Sequence, residues 1–385
     1  MNEHCDIAII GGGPVGAALA LALRDSNYQV TVLEAHGGRD KQADPRALAL
    51  SYGSRLLLTR LGVWRDITAV SAIQTIHISQ QHSFGRTQLK AADLGVPDLG
   101  YVLPYPALHS ALLNALANSR ANIQYGASVT QLRNTGNGAD IVYRQDGKEK
   151  QLHARLVVVA DGGKLLETSH PAEVRDYGQS AIIAHVTCSH PRADTAFERF
   201  TPQGPLALLP YRGGYELVWT VSHAAVETML QLDDASLLSQ LQQHFGDRVG
   251  AFLSIGARSS FPLRLKRAPA ITLPHTELIG NAAQTLHPVA GQGFNMGLRD
   301  AWELAQEILQ STPETLGSAT MLSNYKRCRS LDRNSGIHFT DGLVRLFSND
   351  LPLASTIRAA TLSLLDCLPG MKKFVARRMM FGPNG

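Results

Sequence analysis

One stretch near the start of the chain constrains the possible fold more than any other. Residues 5–10 (CDIAII) are apolar enough to form a short buried strand, and residues 11–16 (GGGPVG) follow as a glycine-rich turn. Residues 17–26 (AALALALRDS) continue as an apolar helix, and residues 29–35 (QVTVLEA) read as a second strand. This order of strand, turn, helix and strand predicts a βαβ unit and therefore an α/β domain.

The same stretch has a second interpretation, as a membrane segment or signal peptide. Residues 7–23 contain no charged side chain over 17 residues, whereas a spanning helix needs about 20. The preceding MNEHCD carries acids but neither Lys nor Arg, and a signal peptide begins with basic residues. Glycines and a proline also interrupt the apolar run. We therefore interpret it as part of a folded domain.

The glycines of the turn have the spacing of a dinucleotide-binding site. Gly11, Gly13 and Gly16 fit the pattern G-x-G-x-x-G, with Pro14 inside it. Such a turn lets a pyrophosphate approach the backbone at a helix N-terminus, where free N–H groups bind anions. Glu34 ends the second strand, where an acid binds ribose hydroxyls and repels a 2′-phosphate, so the site favours FAD or NAD over NADP. The alternative is a turn whose glycines only let the helix pack on the strand.

Composition limits the remaining possibilities. A length of 385 residues suggests two domains, or one domain with a large insertion. The net charge of +4 is small and unclustered, so no nucleic-acid partner is predicted. The scattered cysteines form no C-x-x-C, which argues against a disulfide framework and against a metal site, and favours a reducing, cytoplasmic compartment. They are Cys5, Cys188, Cys328 and Cys367.

The middle of the chain predicts further strands and a second, strand-rich domain. RLVVVADGG (155–163) reads as a buried strand ending at Asp161-Gly162, and strand ends of this kind face a ligand crevice. Asp146-Gly147 predicts a hairpin turn. Helices are predicted at 53–67, 106–119 and 234–245. Residues 176–268 are rich in strands, and one sheet face there is expected to line a pocket. Its candidate pocket residues are Arg199, Leu208 and Tyr211.

A second glycine-rich stretch opens another predicted helix, FNMGLRDAWELAQEILQ at 294–310. The bare backbone at 290–293 would let a flat, redox-active ring lie against the peptide, with Pro288 stiffening the approach and the helix dipole stabilising negative charge on the ring. His287 has two interpretations, a structural hydrogen-bonded histidine or an acid–base group. The predicted ring-side residues are His287, Pro288, Gly291, Gln292, Gly293 and Asn295.

The C-terminal region at about 318–381 is predicted to be mainly helical. LSLLDCLPGMKKFVARRMMF (362–381) mixes apolar residues with Lys372, Lys373, Arg377 and Arg378. Two interpretations stay open. The segment lies on a membrane surface as a basic amphipathic helix, or it packs against the protein's own core.

Three motifs resemble those of the class A FAD-dependent aromatic hydroxylases, which have the p-hydroxybenzoate hydroxylase fold. They are GGGPVG at 11–16, ADG at 160–162 and GNAAQTLHPVAGQGFNMGLRD at 280–300. The resemblance covers nearly the whole chain. HPVAGQGFNMGLRD resembles the ubiquinone-biosynthesis hydroxylases in particular. GNAAQTLHP, with FERFTPQGPLALLP at 197–210, is most similar to the 2-polyprenyl-6-methoxyphenol hydroxylase type.

The resemblance implies an α/β fold with three regions. A Rossmann-like FAD-binding domain, of the p-hydroxybenzoate hydroxylase and glutathione reductase type, would comprise residues 1–72, 101–175 and 269–330. A strand-rich substrate domain would comprise residues 73–100 and 176–268, and C-terminal helices residues 331–385.

The resemblance also implies roles for single residues. Glu34 would hold the adenosine ribose, Arg46 the flavin side of the cofactor, and Asp161-Gly162 would line the crevice. The aspartate that usually follows Gly280 and binds the ribitol chain is here Asn281. ADG usually continues with a Ser and then an Arg. Leu165 and Thr168 stand in those places, so the nicotinamide-handling role of this motif is not carried over.

By this resemblance the chain is an FAD-dependent monooxygenase. It would use NAD(P)H and O₂, through a flavin C4a-hydroperoxide, to hydroxylate the ring of a polyprenyl-methoxyphenol on the route to ubiquinone. The alternatives are a sister hydroxylase acting at another ring carbon, and a flavin reductase of prenyl lipids. The implied partners are the polyprenylated phenol, other proteins of a ubiquinone-biosynthesis complex and, through the C-terminal region, the inner face of the plasma membrane.

Overall fold

A computed structural model describes residues 3–37, 46–286, 291–347 and 352–382, except for the side chains of 339–340, 343–347 and 352–359. The helices are α1 Pro14–Ala22, α2 Tyr52–Arg60, α3 Ala91–Leu94, α4 Tyr105–Ala117, α5 His223–Gln231, α6 Asp234–Phe245, α7 Gln292–Leu309, α8 Ala319–Phe347, α9 Pro352–Cys367 and α10 Pro369–Phe381. The first strands are β1 Glu3–Ile10, β2 Val30–Glu34, β3 Ala47–Ser51, β4 Ser71–Ile73, β5 Thr75–Gln80, β6 Arg86–Lys90, β7 Gly100–Pro104, β8 Asn122–Tyr125, β9 Ser128–Thr135 and β10 Gly138–Gln145. The later strands are β11 Lys148–Val159, β12 Glu173–Cys188, β13 Thr195–Thr201, β14 Gly204–Tyr211, β15 Gly214–Ser222, β16 Phe252–Ile255, β17 Ser259–Arg267, β18 Thr272–Leu273, β19 Thr276–Leu278 and β20 Gln284–Thr285.

The first sheet contains the predicted βαβ unit. Its strand order is β18-β19-β11-β1-β2-β8, and β9 and β10 extend it in antiparallel fashion from β11. β1 pairs with β2 in parallel, with Ile7 opposite Val30. Helices α1, α4 and α7 bury one face, because the apolar side chains of β1, β2 and β11 pack against them. The α/β fold class predicted from the sequence is confirmed.

The second sheet runs β20-β17-β12-β15-β14-β13-β5-β6, with β16 beside β12. Most neighbours are antiparallel, but β13 and β5 are parallel. One face packs against α5 and α6, and we call the opposite face the inner face. A third sheet of β3, β7 and β4 lies next to the inner face, since Ile73, Val102 and Tyr211 share one apolar cluster.

The predicted local structure is largely observed. The helix predicted at 53–67 is α2 followed by a 3₁₀ turn at Trp64–Asp66, and the helix predicted at 234–245 is α6. Asp146 and Gly147 both have positive φ angles, 50° and 74°, as a tight hairpin turn requires. Helix α5 is an addition that the sequence interpretation lacked. Which residues form separate domains stays a prediction.

The C-terminal helices pack on the rest of the chain. Ala376 and Met380 of α10 are buried with Leu89 and Leu99, and the Ser51 hydroxyl donates to the Met380 carbonyl at 2.9 Å. The core-packing interpretation of this segment is therefore confirmed for one side of α10. Within the described part of the chain, no helix has both the length and the apolar character needed to cross a membrane.

Candidate functional site

The first glycine turn combines tight packing with open space. A Cβ atom on Gly16 would overlap the Gly11 carbonyl oxygen, so only glycine lets α1 begin this close to β1. A Cβ on Gly13 would meet nothing within 4 Å. Gly13 caps α1 and Pro14 is its first residue, and a glycine cap has no side chain to occupy the free N–H groups of the first turn. The start of α1 is therefore open to an anionic ligand.

Glu34 lies buried at the end of β2, beside this turn. Its Oε2 atom accepts from the Gly12 backbone N–H at 2.7 Å, and its Oε1 atom accepts from the His36 N–H at 3.0 Å. The His36 Nδ1 atom also lies 2.8 Å from Oε1, so both carboxylate oxygens are held by neighbouring groups. The predicted acid is thus fixed at the carboxyl end of its strand.

The two polar turns predicted to line the crevice lie side by side. Asp161 organises its own turn, because it accepts from the N–H groups of Gly163 at 2.8 Å and Leu165 at 2.7 Å. A Cβ on Gly163 would lie 3.8 Å from the Asn281 carbonyl oxygen, whereas one on Gly162 would meet open space. Asn281 is exposed. Both turns therefore border one crevice beyond β11 and β19.

A buried ion-pair network holds the turn at Gly280. Asp300 of α7 accepts from the Gly280 N–H at 3.1 Å and from the Gln284 side chain at 2.9 Å. Arg329 of α8 donates to Asp300 through Nε at 2.9 Å, its Nη2 lies 2.7 Å from the same carboxylate, and its Nη1 lies 2.7 Å from Asp332. All three charged side chains are almost fully buried. The network ties a C-terminal helix to the candidate cofactor site.

The sequence interpretation missed this network. Asp300 closes the quoted motif GLRD, but no role was assigned to it. Arg329 lies 29 residues further along the chain and has no local signature. A buried charge is rarely left unpaired. The position of Asp300 on the apolar face of an amphipathic helix therefore predicts a buried cationic partner, although it does not say which residue supplies it.

The second glycine turn begins α7. Gly291 has a φ of 61°, and its Cβ would lie 3.0 Å from the Ala49 Cβ. Gln292 is buried and donates to the Met379 carbonyl at 3.3 Å. A Cβ on Gly293 would meet nothing within 4 Å, so space is open at the start of this helix also. His287 and Pro288 lie outside the described residues, and their predicted roles stay predictions.

Asn295 joins this turn to β3 and α2. Its Oδ1 atom accepts from the Ser51 N–H at 2.8 Å and the Ser54 hydroxyl at 2.6 Å. Its Nδ2 group donates to the carbonyls of Gly291 at 2.7 Å and Ala49 at 3.1 Å. The amide therefore positions the glycine turn, and a cofactor contact for Asn295 stays a prediction.

Arg46 lies between the third sheet and the second sheet. It immediately precedes β3, and its guanidinium carbon is 4.8 Å from the centre of the Phe261 ring on β17. The arrangement brings a cation to the inner face of the second sheet, close to the segment that contacts Gly291. A contact between Arg46 and the cofactor stays a prediction.

The three predicted pocket residues do not share one face of the second sheet, which corrects the sequence interpretation. Leu208 is fully buried with α5 and α6, and the Arg199 Nε atom donates to the His244 carbonyl of α6 at 2.8 Å. Tyr211 points the other way, into the cluster with Ile73 and Val102. Side chains alternate along strands, so Tyr211 alone of the three lies on the inner face.

The inner face combines apolar and carboxyl groups. Ile183, Leu209 and Val218 are only partly buried there, between fully buried neighbours along each strand. Burial raises the pKa of Glu216 to about 7, against the opposing effects of the Ala47 N–H and Arg212. Burial likewise raises the pKa of Glu198 to about 7. Two carboxyl groups of the inner face therefore have a reduced tendency to ionise. Sequence reasoning missed them, although a lone acid within the apolar segment YELVW is a signal for a site.

These observations fit FAD. The open spaces at Gly13 and Gly293 leave room for a ligand against the starts of two helices, and Glu34, Asp161 and Asn281 offer polar groups between them. FAD is a long ligand with phosphates, ribose and ribitol hydroxyls and a flat ring. It requires free N–H groups for the phosphates, polar side chains for the hydroxyls and open backbone for the ring.

Comparisons with known proteins show the family. Residues 4–334 match the family model described as an FAD binding domain. The chain is 32% identical over 393 residues to ubiquinone hydroxylase UbiL of Rhodospirillum rubrum, covering 98% of this chain and 90% of that protein. It is 32% identical over 374 residues to 3-demethoxyubiquinol 3-hydroxylase of Escherichia coli, covering 91% of this chain and 92% of that protein.

A similar fold is found in p-nitrophenol 4-monooxygenase PnpA of Pseudomonas putida. The TM-score is 0.78 at 16% sequence identity, and the match covers 99% of each chain. At this identity the likeness bears on the fold alone. The family model and the two hydroxylases show that this chain belongs to the FAD-binding monooxygenase family that contains the ubiquinone-biosynthesis hydroxylases.

Proposed function

We propose that the chain hydroxylates the aromatic ring of a polyprenyl-methoxyphenol on the route to ubiquinone, with NAD(P)H and O₂ as co-substrates. One observation carries the proposal. The glycine turn at Gly291 lies against β3, and β3 lies against the inner face of the second sheet; this turn is the one predicted to hold the ring of FAD. A ring substrate on the inner face would therefore lie next to the reactive part of the cofactor.

Within this proposal each turn has a role in binding FAD. The N–H groups at the start of α1 would hold the pyrophosphate, and Glu34 the adenosine ribose. Asp161 and Asn281 would face the ribitol chain. The start of α7 would place its positive dipole end beside the ring.

When bound, FAD would supply the redox chemistry, by storing electrons from NAD(P)H and activating O₂. The protein would supply position and dryness. Ile183, Leu209 and Val218 offer apolar surface for the ring and the first part of the tail, and this surface would also exclude water that promotes loss of peroxide. NAD(P)H would bind transiently, since the chain has one recognised dinucleotide turn, at 11–16.

A second candidate is hydroxylation at another ring carbon of a later intermediate in the same pathway. It is favoured by the 32% identity to the E. coli protein, which is named a 3-demethoxyubiquinol 3-hydroxylase. Both candidates would use the same cofactor site and would differ in the intermediate bound and in how its ring lies on the inner face. A prenyl-lipid reductase would instead turn over without O₂.

Lipid extracts from a host lacking the gene distinguish these candidates. Accumulation of a polyprenyl-methoxyphenol, with loss of ubiquinone, supports the proposal. Accumulation of a demethoxy intermediate supports the second candidate. Unchanged ubiquinone, in a host with no redundant enzyme, would remove both. With purified protein, NAD(P)H-dependent product formation that continues without O₂ would identify a reductase.

We also propose that the C-terminal region contacts an anionic membrane surface, where a polyprenyl substrate dissolves. Four large apolar side chains around the start of α10 are exposed, namely Leu364, Leu368, Met371 and Phe374, at 59%, 39%, 54% and 67%. Phe374 lies two residues before the buried Ala376, which places it on the opposite side of the helix. The exposed Lys373 and Arg377 lie beside this apolar patch. Apolar side chains flanked by cations suit a surface of anionic headgroups.

A further inference from the structure

Glu216 has a carboxyl group near the turn proposed to hold the ring of FAD. The proposed binding of FAD gives this residue no role. It lies on the inner face of β15 and is only 6% exposed. The Ala47 backbone N–H lies close enough to its carboxyl group to lower the pKa of Glu216. Two residues further along β3, Ala49 lies against Gly291. Two residues of a strand span about 7 Å, so Ala47, the neighbour of Glu216, lies about that far along β3 from the residue that contacts Gly291.

Other polar groups converge on the same place. His185 lies directly opposite Glu216 in the β12–β15 ladder, and its buried Nδ1 atom has no hydrogen-bond partner among the described residues. The ring of Tyr211 meets the His185 ring edge-on, with centres 6.1 Å apart. A buried polar atom without a partner is costly. A ligand with its own polar group would remove that cost.

We propose that Glu216 is a catalytic base that accepts the proton of the ring hydroxyl of the phenolic substrate. The inference rests on the proposed function. The substrate O–H bond breaks, the proton passes to the carboxylate, and the electron pair stays on oxygen as a phenolate. No electron is transferred in this step. A phenolate donates more electron density to its ring than a phenol does, so the ring reacts more readily with an electrophilic oxygen. The proton returns to the substrate oxygen afterwards.

The electrostatic surroundings suit this role. A general base works best when its pKa is near the operating pH, and burial raises the pKa of Glu216 to about 7. The titratable and charged groups around it are His185 on β12, Tyr211 on β14, Arg212 in the hairpin turn and, next to Ala47, Arg46. Burial and Arg212 lower the pKa of His185. The imidazole therefore stays neutral while Glu216 loses its proton.

The test compares Glu216→Gln with the wild-type FAD enzyme in single-turnover hydroxylation of a short-chain prenyl-methoxyphenol. Because a base must be ionised, the wild-type rate should rise with pH through about 7. Glu216→Gln should lose that rise and at least about 100-fold in rate, the lower end of general-base effects. FAD affinity and flavin reduction should be unchanged. Glu277→Gln, a buried glutamate of the first sheet, is the matched control and should keep the wild-type pH profile.

A ring-fluorinated analogue separates catalysis from structure. Its hydroxyl is more acidic and depends less on a base. The rate loss that Glu216→Gln causes should therefore be at least about tenfold smaller with this analogue than with the unfluorinated substrate, consistent with Brønsted behaviour. Equal losses on both substrates, or an unaltered pH profile in Glu216→Gln, would overturn the role of Glu216 and leave the proposed function in place. If the wild-type enzyme hydroxylates no prenyl-phenol, the proposed function itself fails.

Discussion

Gly13 and Gly16 lie three residues apart in the first glycine turn, and their surroundings differ. A methyl group on Gly16 would overlap the Gly11 carbonyl, whereas on Gly13 it would meet empty space. Gly16→Ala should therefore lower the melting temperature of the protein without FAD. Gly13→Ala should leave that temperature unchanged and raise the FAD dissociation constant at least about tenfold, because about 1.4 kcal/mol of lost contact suffices. Differential scanning fluorimetry and FAD titration measure the two effects.

Gly136→Ala is the control for both variants. Gly136 lies in an exposed turn, has no positive φ angle, and its Cβ would also meet nothing within 4 Å. Neither FAD affinity nor melting temperature should change. If Gly13→Ala binds FAD as tightly as the wild type does, the pyrophosphate does not lie at the start of α1.

Glu277 offers a prediction about pH and stability. It is fully buried on β19, and burial raises its pKa from 4.5 to about 9. The folded state keeps the proton over a range in which the unfolded state releases it. The free energy of unfolding therefore falls as pH rises from 4.5 towards 9, at no more than about 1.4 kcal/mol per pH unit.

Glu277→Gln should remove this fall in the free energy of unfolding with rising pH. Glu198 and Glu216 contribute in the same direction only up to about pH 7, so urea unfolding between pH 7 and 9 isolates Glu277. The variant's curve should be flatter than the wild-type curve in that interval, while the exposed Glu149→Gln should follow the wild type. Parallel curves for wild type and Glu277→Gln would show that the buried carboxyl does not hold its proton.

At the scale of elements, α8 acts on the cofactor site through Arg329. Replacing Arg329 with Met leaves the buried carboxylates of Asp300 and Asp332 without this cation, and breaking a buried pair costs about 3–5 kcal/mol. Because Asp300 also holds the Gly280 N–H, the variant should bind FAD more weakly as well. Urea unfolding and FAD titration test this.

Arg327→Met serves as the matched control, on the same helix but exposed. It should change the free energy of unfolding by less than about 0.5 kcal/mol. If Arg329→Met lowers the free energy of unfolding by less than about 1 kcal/mol and leaves FAD affinity unchanged, the network contributes no more than an exposed ion pair does.

The sequence predicts elements whose signals are local and misses relations that depend on distance along the chain. The βαβ unit follows from spacing within one segment, and so does the Asp146-Gly147 turn. Which way Arg199 and Tyr211 point does not, because it depends on the register across the β13–β14 hairpin, and a shift of one residue reverses every side chain. The Asp300–Arg329 pair likewise depends on how α7 and α8 pack. Local motifs therefore predict the candidate cofactor site, whereas the inner face can be recognised only from the structure.

At the scale of the whole molecule, the C-terminal helices both complete the fold and present an apolar surface. Removing the C-terminal helices would affect both the fold and the apolar surface, because α10 accepts a hydrogen bond from Ser51 and covers buried residues. Substitutions on the exposed side separate them. Met371→Glu combined with Phe374→Glu should lower binding to vesicles containing phosphatidylglycerol at least about tenfold, since two apolar contacts are replaced by charges that anionic lipid repels.

The matched control is Val174→Glu combined with Leu253→Glu, which changes two equally exposed apolar residues, at 54% and 61%, on other elements. That variant should bind vesicles like the wild type, apart from the general effect of two added negative charges. Wild-type binding should weaken with salt and with neutral phosphatidylcholine, because Lys373 and Arg377 contribute by charge. Vesicle co-sedimentation measures all of these without reference to activity. Equal losses in the two double variants would assign the binding to net charge rather than to the α10 surface, and the membrane proposal would then be wrong.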